Sequence, residues 1–181
     1  MCGIAGIVAR RNGFDLERAI KEMTRRVEHR GPDDEGYAVH GRVALGHRRL
    51  AVIDLSPGGH QPMISADGRY LITFNGEIYN FLELRAELET LGYRFRSKTD
   101  TEVILAAFAA WGKACLSRFN GMWAFAIHDI PGAMIFAARD RFGVKPFHYV
   151  SVDDCFAFGS EIRQLLPLLP AVRANPRAVS E

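Results

Sequence analysis

The chain opens with Met1-Cys2-Gly3-Ile4-Ala5-Gly6-Ile7-Val8, a stretch of small and apolar residues. Both alternating sets of positions in this stretch are apolar, which is typical of a strand that is covered on both faces. We therefore predict a strand over residues 2–9 at the centre of a sheet.

Cys2 directly follows the initiator methionine, so removal of Met1 would make it the N-terminal residue. Its thiol and its free α-amine would then supply a nucleophile and a nearby base on one residue, because an α-amine titrates near about pH 8 and a thiol near about 8.5. The alternative is an incidental small cysteine in a buried strand. The rest of the sequence has to decide between these two interpretations.

Composition limits the function classes. The 181 residues are 48% hydrophobic, enough to bury the core of one compact domain. The net charge is only +2 with both signs interspersed, so we expect neither a nucleic-acid partner nor a membrane partner. Three cysteines without CxxC spacing argue against disulfides and zinc, and no segment has a signal peptide's or membrane span's pattern. A cytoplasmic protein is expected.

Helical periodicity and turn residues predict the secondary structure of the first half of the chain. Asp15 can cap a helix over residues 15–28, a loop follows over 29–36, and two short runs at 37–39 and 43–46 form a hairpin. Residues 48–53 are expected to be extended, and residues 54–62 carry too many turn formers to be regular.

In the middle of the chain, turn and capping residues predict one strand and two helices. Asp67-Gly68 is a tight turn into a strand over 70–74, after which Asn75 and Gly76 are expected at the edge between that strand and a helix. Asn80 and Glu83 would cap the helix, which ends at Gly92. The run Thr99-Asp100-Thr101-Glu102 has capping-box spacing and opens a second helix.

The remaining chain predicts an antiparallel meander of strands at 122–128, 133–138, 147–150 and 155–158, followed by a short helix at 162–166. Hairpins with segregated helices indicate an α+β fold with antiparallel sheets. The prolines after residue 166 indicate that a domain over residues 1–166 is followed by the start of a linker over 167–181.

Other catalytic classes lack their motifs. The sequence holds no GxSxG, GxGxxG or Walker loop. A papain-like cysteine is disfavoured because Cys115 and Cys155 have apolar neighbours, and His47, His60 and His148 lack HxxxH or HxH spacing, so no metal site is expected.

Several further motifs lie in order along almost the whole chain. They are Met1-Cys2-Gly3-Ile4-Ala5-Gly6, His29-Arg30-Gly31-Pro32-Asp33, Gly46-His47-Arg48-Arg49-Leu50, Phe74-Asn75-Gly76-Glu77-Ile78-Tyr79-Asn80, Thr99-Asp100-Thr101-Glu102, Arg139-Asp140-Arg141-Phe142-Gly143-Val144-Lys145-Pro146 and Phe158-Gly159-Ser160-Glu161.

Together these motifs resemble the glutaminase domain of class II glutamine amidotransferases, and the second and fourth of them are similar to those of glutamine-hydrolysing asparagine synthetases. The resemblance implies the N-terminal nucleophile hydrolase fold, a four-layer αββα sandwich of two antiparallel sheets between helices. It also implies that Cys2 is the nucleophile, and that the Asn75 side chain and the Gly76 N–H stabilise an oxyanion.

The resemblance assigns substrate-binding roles as well. Arg49 would hold the α-carboxylate of free glutamine and Asp100 its α-ammonium. The pocket would also be lined by Glu77, Leu50, Val52 and Ile53. A structural role is expected for five further motif residues, which are Arg30, Asp33, Arg139, Asp140 and Lys145.

The implied reaction hydrolyses the glutamine side-chain amide through a γ-glutamyl thioester on Cys2. Ammonia would then serve an ATP-dependent amidation, most commonly of aspartate, in a C-terminal synthetase domain outside this sequence. No cofactor is expected for the glutaminase domain, whereas ATP and Mg²⁺ are expected for the synthetase domain. A different acceptor such as a glycan precursor, a non-catalytic regulatory domain of the same fold, and a homodimer stay open.

Overall fold

The computed structural model describes residues 1–173, and in it the chain forms two antiparallel sheets. The first sheet has five strands in the order β2 (Asp34–His40), β3 (Val43–Arg49), β1 (Gly3–Ala9), β9 (Cys155–Gly159) and β8 (His148–Ser151).

The second sheet has four strands in the order β4-β5-β6-β7. Its central pair is long, since β5 and β6 stay in register from Tyr70 opposite Asp129 to Ile78 opposite Gly121. The strands are β4 (Met63–Ile64), β5 (Tyr70–Ile78), β6 (Gly121–Asp129) and β7 (Met134–Arg139). Because β4 is only two residues long, most of one edge of β5 has no neighbouring strand among residues 1–173.

Helices cover the outer face of each sheet. Helices α1 (Leu16–Arg25) and α4 (Ile162–Leu165) lie on the first sheet, and α2 (Phe81–Thr90) and α3 (Asp100–Trp111) lie on the second. Short 3₁₀ helices occur at Glu28–Arg30, Pro57–Gly59, Gly112–Ser117 and Leu166–Leu168.

Three apolar clusters separate these layers. One packs α1 and α4 against the first sheet, a second packs α2 and α3 against the other, and the third fills the space between the sheets. The middle cluster consists of Ile4, Val43, Leu45, Leu71, Ala124, Ala126 and Phe158. The predicted four-layer αββα sandwich is therefore confirmed.

The opening stretch forms the predicted central strand. β1 pairs with β3 on one side and β9 on the other, and all its residues but Val8 are buried. Its small residues are required by packing, because a Cβ at Gly6 would overlap the ring of Phe158. The chain start is thus fixed in the middle of a sheet, with Cys2 immediately before it.

The predicted pairing of the last four strands was wrong. The last four strands do not form one meander, because β6 and β7 extend the second sheet whereas β8 and β9 join the first. β8 pairs with β9 but not with β7, and β9 pairs in turn with β1, which closes the first sheet around the chain start.

Asn75 and Gly76 were predicted at the edge of a strand but lie inside one. β5 continues through both of them to Ile78, because β6 supplies a hydrogen-bonding partner along that whole length. Gly76 has no room for a side chain, since a Cβ would overlap the carbonyl of Met122.

Helix boundaries differ slightly from the predictions. α1 begins where expected, with the Asp15 carboxylate accepting from Arg18 N–H, but ends at Arg25. Asn80 occupies the cap position of α2 without capping it, because its side chain bonds Arg118 and Asn120 instead. β2 also begins inside the predicted loop, at Asp34.

The C-terminal region is only partly described. The short helix predicted at 162–166 is confirmed as α4. Most of the predicted linker, residues 174–181, lies outside the described residues, so the boundary at residue 166 stays a prediction. Within residues 1–173 no helix has the length and apolarity needed to cross a bilayer.

Candidate active site

A pocket of about 240 Å³ opens beside the first residues of the chain. It is lined by all nine residues that the sequence singled out for chemistry or substrate binding. These are Cys2, Arg49, Leu50, Val52, Ile53, Asn75, Gly76, Glu77 and Asp100.

Cys2 is held at one wall of this pocket by backbone contacts. Its Sγ lies 3.4 Å from the Leu50 amide nitrogen and 3.6 Å from the Leu50 carbonyl oxygen. The Cys2 carbonyl accepts a hydrogen bond of 2.9 Å from Arg30 Nε. The thiol is therefore fixed at the junction of β1 with the loop that follows β3.

Burial raises the pKa of the Cys2 thiol, because desolvation disfavours the thiolate. The Leu50 backbone contact and the positive charges of the N-terminus, Arg49 and Lys145 act in the opposite direction. With Met1 attached, the Cys2 nitrogen is an amide and cannot accept a proton. A base on Cys2 itself therefore requires removal of Met1.

The free edge of β5 presents backbone donors to the pocket. Phe74 N–H donates to Gln61 Oε1 at 2.7 Å and Ile78 N–H donates to Asp100 Oδ2 at 3.0 Å. Both groups thus point away from β6. Because backbone direction alternates along a strand, the Gly76 N–H between them points to the same open edge.

The Asn75 side chain supplies a second donor. Asn75 is only 1% exposed, and its Nδ2 has no hydrogen-bond partner among the described residues. Thr73, two residues earlier, bonds Gly46 of the first sheet, so the side chains on this face of β5 point toward that sheet. An unpaired buried amide donor is unfavourable unless a ligand satisfies it.

Arg49 lies at the end of β3, and its side chain is enclosed by the loop that follows. Its guanidinium donates to the carbonyl oxygens of Asp54 and Ser56. Gly59 lies directly against the guanidinium, so any side chain at this position would overlap it. Within residues 1–173 no carboxylate forms an ion pair with Arg49, which leaves its charge for an anion.

Asp100 begins α3 on the far side of the β5 edge. Thr99 caps this helix by accepting from Glu102 N–H, and the Asp100 carboxylate, 4% exposed, accepts from Ile78. Burial raises the pKa of Asp100 to about 6, against the opposing backbone hydrogen bonds. No cation pairs with this carboxylate among the described residues, so a cationic ligand would stabilise its charged form.

The loop over residues 50–53 is held by Asp33, which the sequence analysis had given a structural role. Asp33 Oδ2 accepts from Ala51 N–H at 2.9 Å, and Asp33 N–H donates to the Arg49 carbonyl at 3.0 Å. Leu50, Val52 and Ile53 thereby form one side of the pocket.

Sequence reasoning missed Gln61 and undervalued Lys145. Gln61, 5% exposed, orders the edge of β5 through Phe74, but nothing in the turn-rich sequence around it indicated this contact. Lys145 lines the pocket, although only a structural role was expected for it. Its position within a matched motif was the available signal.

No histidine lines the pocket in the described part of the chain. His47 lies between the sheets, where its Nε2 contacts the Phe74 carbonyl and burial lowers its pKa to about 4. Among residues 1–173 no group of His, Cys, Asp and Glu side chains is arranged to hold a metal ion.

A four-layer αββα sandwich whose second residue lines a pocket with charged side chains is the architecture of N-terminal nucleophile hydrolases. Residues 1–181 match the family described as the glutamine amidotransferase domain, and the chain belongs to that family.

Curated relatives cover the chain almost completely. It is 42% identical over 184 residues to glutamine-hydrolysing asparagine synthetase 1 of Bacillus subtilis, covering 100% of this chain and 29% of that protein. It is 43% identical over 185 residues to a putative asparagine synthetase of Methanocaldococcus jannaschii, covering 92% of this chain and 35% of that protein. The chain therefore spans only about a third of the length of these relatives.

Solved structures share the fold. A glutamine phosphoribosylpyrophosphate amidotransferase from B. subtilis superposes with a TM-score of 0.74 at 22% identity, over 91% of this chain and 43% of that one. A structure described as the allosteric regulatory enzyme of purine biosynthesis gives 0.73 at 23% identity, with the same coverage of 91% and 43%.

Proposed function

We propose that this domain hydrolyses the side-chain amide of L-glutamine to glutamate and ammonia. The observation that carries the proposal is the position of Cys2 in one pocket with the unpaired Asn75 amide and the open Gly76 N–H. Donors already directed at a point of developing negative charge stabilise a tetrahedral intermediate without reorganisation. Family membership and the similarity to glutamine-hydrolysing synthetases support the same substrate.

We assign substrate binding to two charged side chains that line the pocket. The Arg49 guanidinium holds the α-carboxylate of glutamine, and the Asp100 carboxylate holds its α-ammonium. These groups select free glutamine over a glutamine residue within a protein, whose α-groups are uncharged amides. Glu77 and the loop over residues 50–53 complete the enclosure.

The chemical steps use Cys2 after Met1 has been removed. The α-amine accepts the thiol proton, and Sγ forms a bond to the amide carbon of the glutamine side chain. The carbonyl oxygen becomes an oxyanion held by Asn75 Nδ2 and Gly76 N–H. The carbon–nitrogen bond breaks as the α-ammonium returns a proton to the departing nitrogen, which leaves as ammonia. Water then cleaves the γ-glutamyl thioester, giving glutamate and the free thiol.

The ammonia serves an ATP-dependent amidation, with aspartate as the acceptor and asparagine as the product. Support comes from the names of the relatives at 42% and 43% identity, which are about three times as long as this chain. ATP and Mg²⁺ belong to the synthetase part of such a protein. A cytoplasmic location remains a prediction.

Glutamate release from glutamine tests the glutaminase proposal. The protein is first shown by intact mass to lack Met1, and is then compared with Cys2→Ala and with Cys155→Ala as a matched control. Cys155 is buried in the core of the first sheet and does not line the pocket. We expect release by the parent and by Cys155→Ala, and none above background by Cys2→Ala. Equal release by all three proteins would contradict the proposal.

A further inference from the structure

Lys145 is a cation in the wall of the pocket that holds Cys2, and the proposed chemistry above gives it no role. The residue is 8% exposed, so its charge lies largely out of bulk water. Its hydrogen bonds among the described residues use the backbone alone, with N–H donating to Asp140 Oδ2 and the carbonyl accepting from Arg139 Nε. The ammonium is therefore left to the pocket.

The loop that carries Lys145 is rigidly built. The Asp140 carboxylate accepts backbone N–H groups of Trp123, Phe142, Val144 and Lys145. Burial alone would raise the pKa of Asp140, but these hydrogen bonds together lower it, so the carboxylate is ionised at neutral pH. This anchoring fixes the lysine relative to β6 and to the pocket.

Besides the N-terminal amine, five charged side chains line the pocket that holds the Cys2 thiol. Arg49 comes from the end of β3, Glu77 from β5, Asp54 from the loop after β3, Asp100 from α3, and Lys145 from the loop after β7. Arg49 already donates to two carbonyl oxygens and, in the proposed function, also holds the substrate carboxylate. Among these groups, Lys145 is the cation with no other task.

A thiolate in a largely buried site needs a compensating positive charge, since desolvation otherwise keeps the proton on sulfur. Many cysteine nucleophiles obtain this charge from a protonated histidine. No histidine lines this pocket within residues 1–173.

We propose that Lys145 is the electrostatic partner of Cys2, and that its ammonium stabilises the thiolate and thereby increases the nucleophilic fraction at neutral pH. The proposal rests on the assignment of Cys2 as the nucleophile. Lys145 acts through Cys2, so it is a positioning residue and makes no covalent contribution. The charge of Lys145 also counts among the influences that lower the pKa of the Cys2 thiol against the effect of burial.

Alkylation of Cys2 by iodoacetamide, measured against pH, tests the proposal without glutamine turnover. The thiolate sulfur forms a bond to carbon and iodide leaves, so the rate reports the thiolate fraction. We expect Lys145→Met to react severalfold more slowly at neutral pH, with the midpoint of the pH profile moved upward and the high-pH plateau unchanged. Lys145→Arg keeps the charge and should retain the parent profile. Lys113→Met, at an exposed lysine on the 3₁₀ turn after α3, is the matched control.

Each outcome is decisive. An unchanged alkylation profile in Lys145→Met overturns the proposal, and so does a raised KM for glutamine with an unchanged profile, because the lysine would then bind substrate. Thermal denaturation checks that the variants fold, and Lys145→Gln replaces the methionine variant if that one does not. A shifted profile in a protein that releases no glutamate would sustain the role of Lys145 while defeating the proposed glutaminase function.

Discussion

The variant Asp100→Asn tests two consequences of the buried Asp100 carboxylate, which are its effect on the stability of the fold and its role in substrate binding. The carboxylate is 4% exposed, accepts a hydrogen bond from Ile78 N–H, and pairs with no cation in the described part of the chain. Burial raises its pKa from 3.8 to about 6. Asparagine has nearly the same shape, and its oxygen can still accept from Ile78.

The sign of the pH dependence follows from the raised pKa. Below pH 3.8 the carboxyl is protonated in both the folded and the unfolded chain and contributes no difference. As the pH rises from 3.8 to about 6, the unfolded chain ionises while the folded protein retains its proton, so the free energy of unfolding falls. Above about 6 the penalty is fully present, and it amounts to about 3 kcal/mol at 1.36 kcal/mol per pKa unit.

Asp100→Asn should therefore be more stable than the parent at pH 8 by about 1 to 3 kcal/mol, and this advantage should vanish toward pH 4. Urea denaturation of both proteins at several pH values gives the difference directly. Glutamine hydrolysis should fall in the same variant, because the α-ammonium of the substrate loses its counter-charge. A stability difference that does not depend on pH would refute this reasoning, whatever its size.

Three other substitutions test the site and the layer that holds it. Asn75→Ala should lower kcat about a hundredfold or more with little change in KM, since the donor acts on the transition state; an effect on KM alone would contradict that role. Gly59→Ala should raise the KM for glutamine, because its Cβ would displace the guanidinium of Arg49, and unchanged steady-state kinetics would argue against this contact. Gly6→Ala should lower the stability in urea by about 1 to 3 kcal/mol through overlap with Phe158, and an unchanged midpoint would show that the Phe158 ring can move aside without penalty.

The sequence predicted the individual helices and strands better than it predicted which strands pair with each other. Alternation and capping residues are local signals, so β1, the hairpin of β2 with β3, and helix α1 were all anticipated close to their observed ranges. The assignment of the last strands to two different sheets is not a local property. It depends on β9 pairing with β1, about 150 residues away along the chain.

For the candidate site, too, the sequence predicted the residues themselves but not the contacts that hold them in place. Family motifs led to nine residues that the structure brings to one pocket, including Cys2, immediately before β1 of the first sheet, and Asn75 in the second sheet. The supporting contacts were not predictable, because the role of Gln61 arises only where the short β4 leaves the β5 edge open. Lys145 was undervalued for a related reason, since its direction is set by the Asp140 loop and not by its neighbours in sequence.

The most direct test of the central claim is mass spectrometry of the enzyme quenched in acid during turnover of glutamine. The account predicts an N-terminal peptide that begins at Cys2, lacks Met1, and carries one glutamyl group on sulfur. Hydroxylamine should remove this group, as expected of a thioester. A turning-over enzyme that retains Met1, or one whose Cys2 peptide never carries the glutamyl group while Asn75→Ala and the parent differ in rate, would contradict the account.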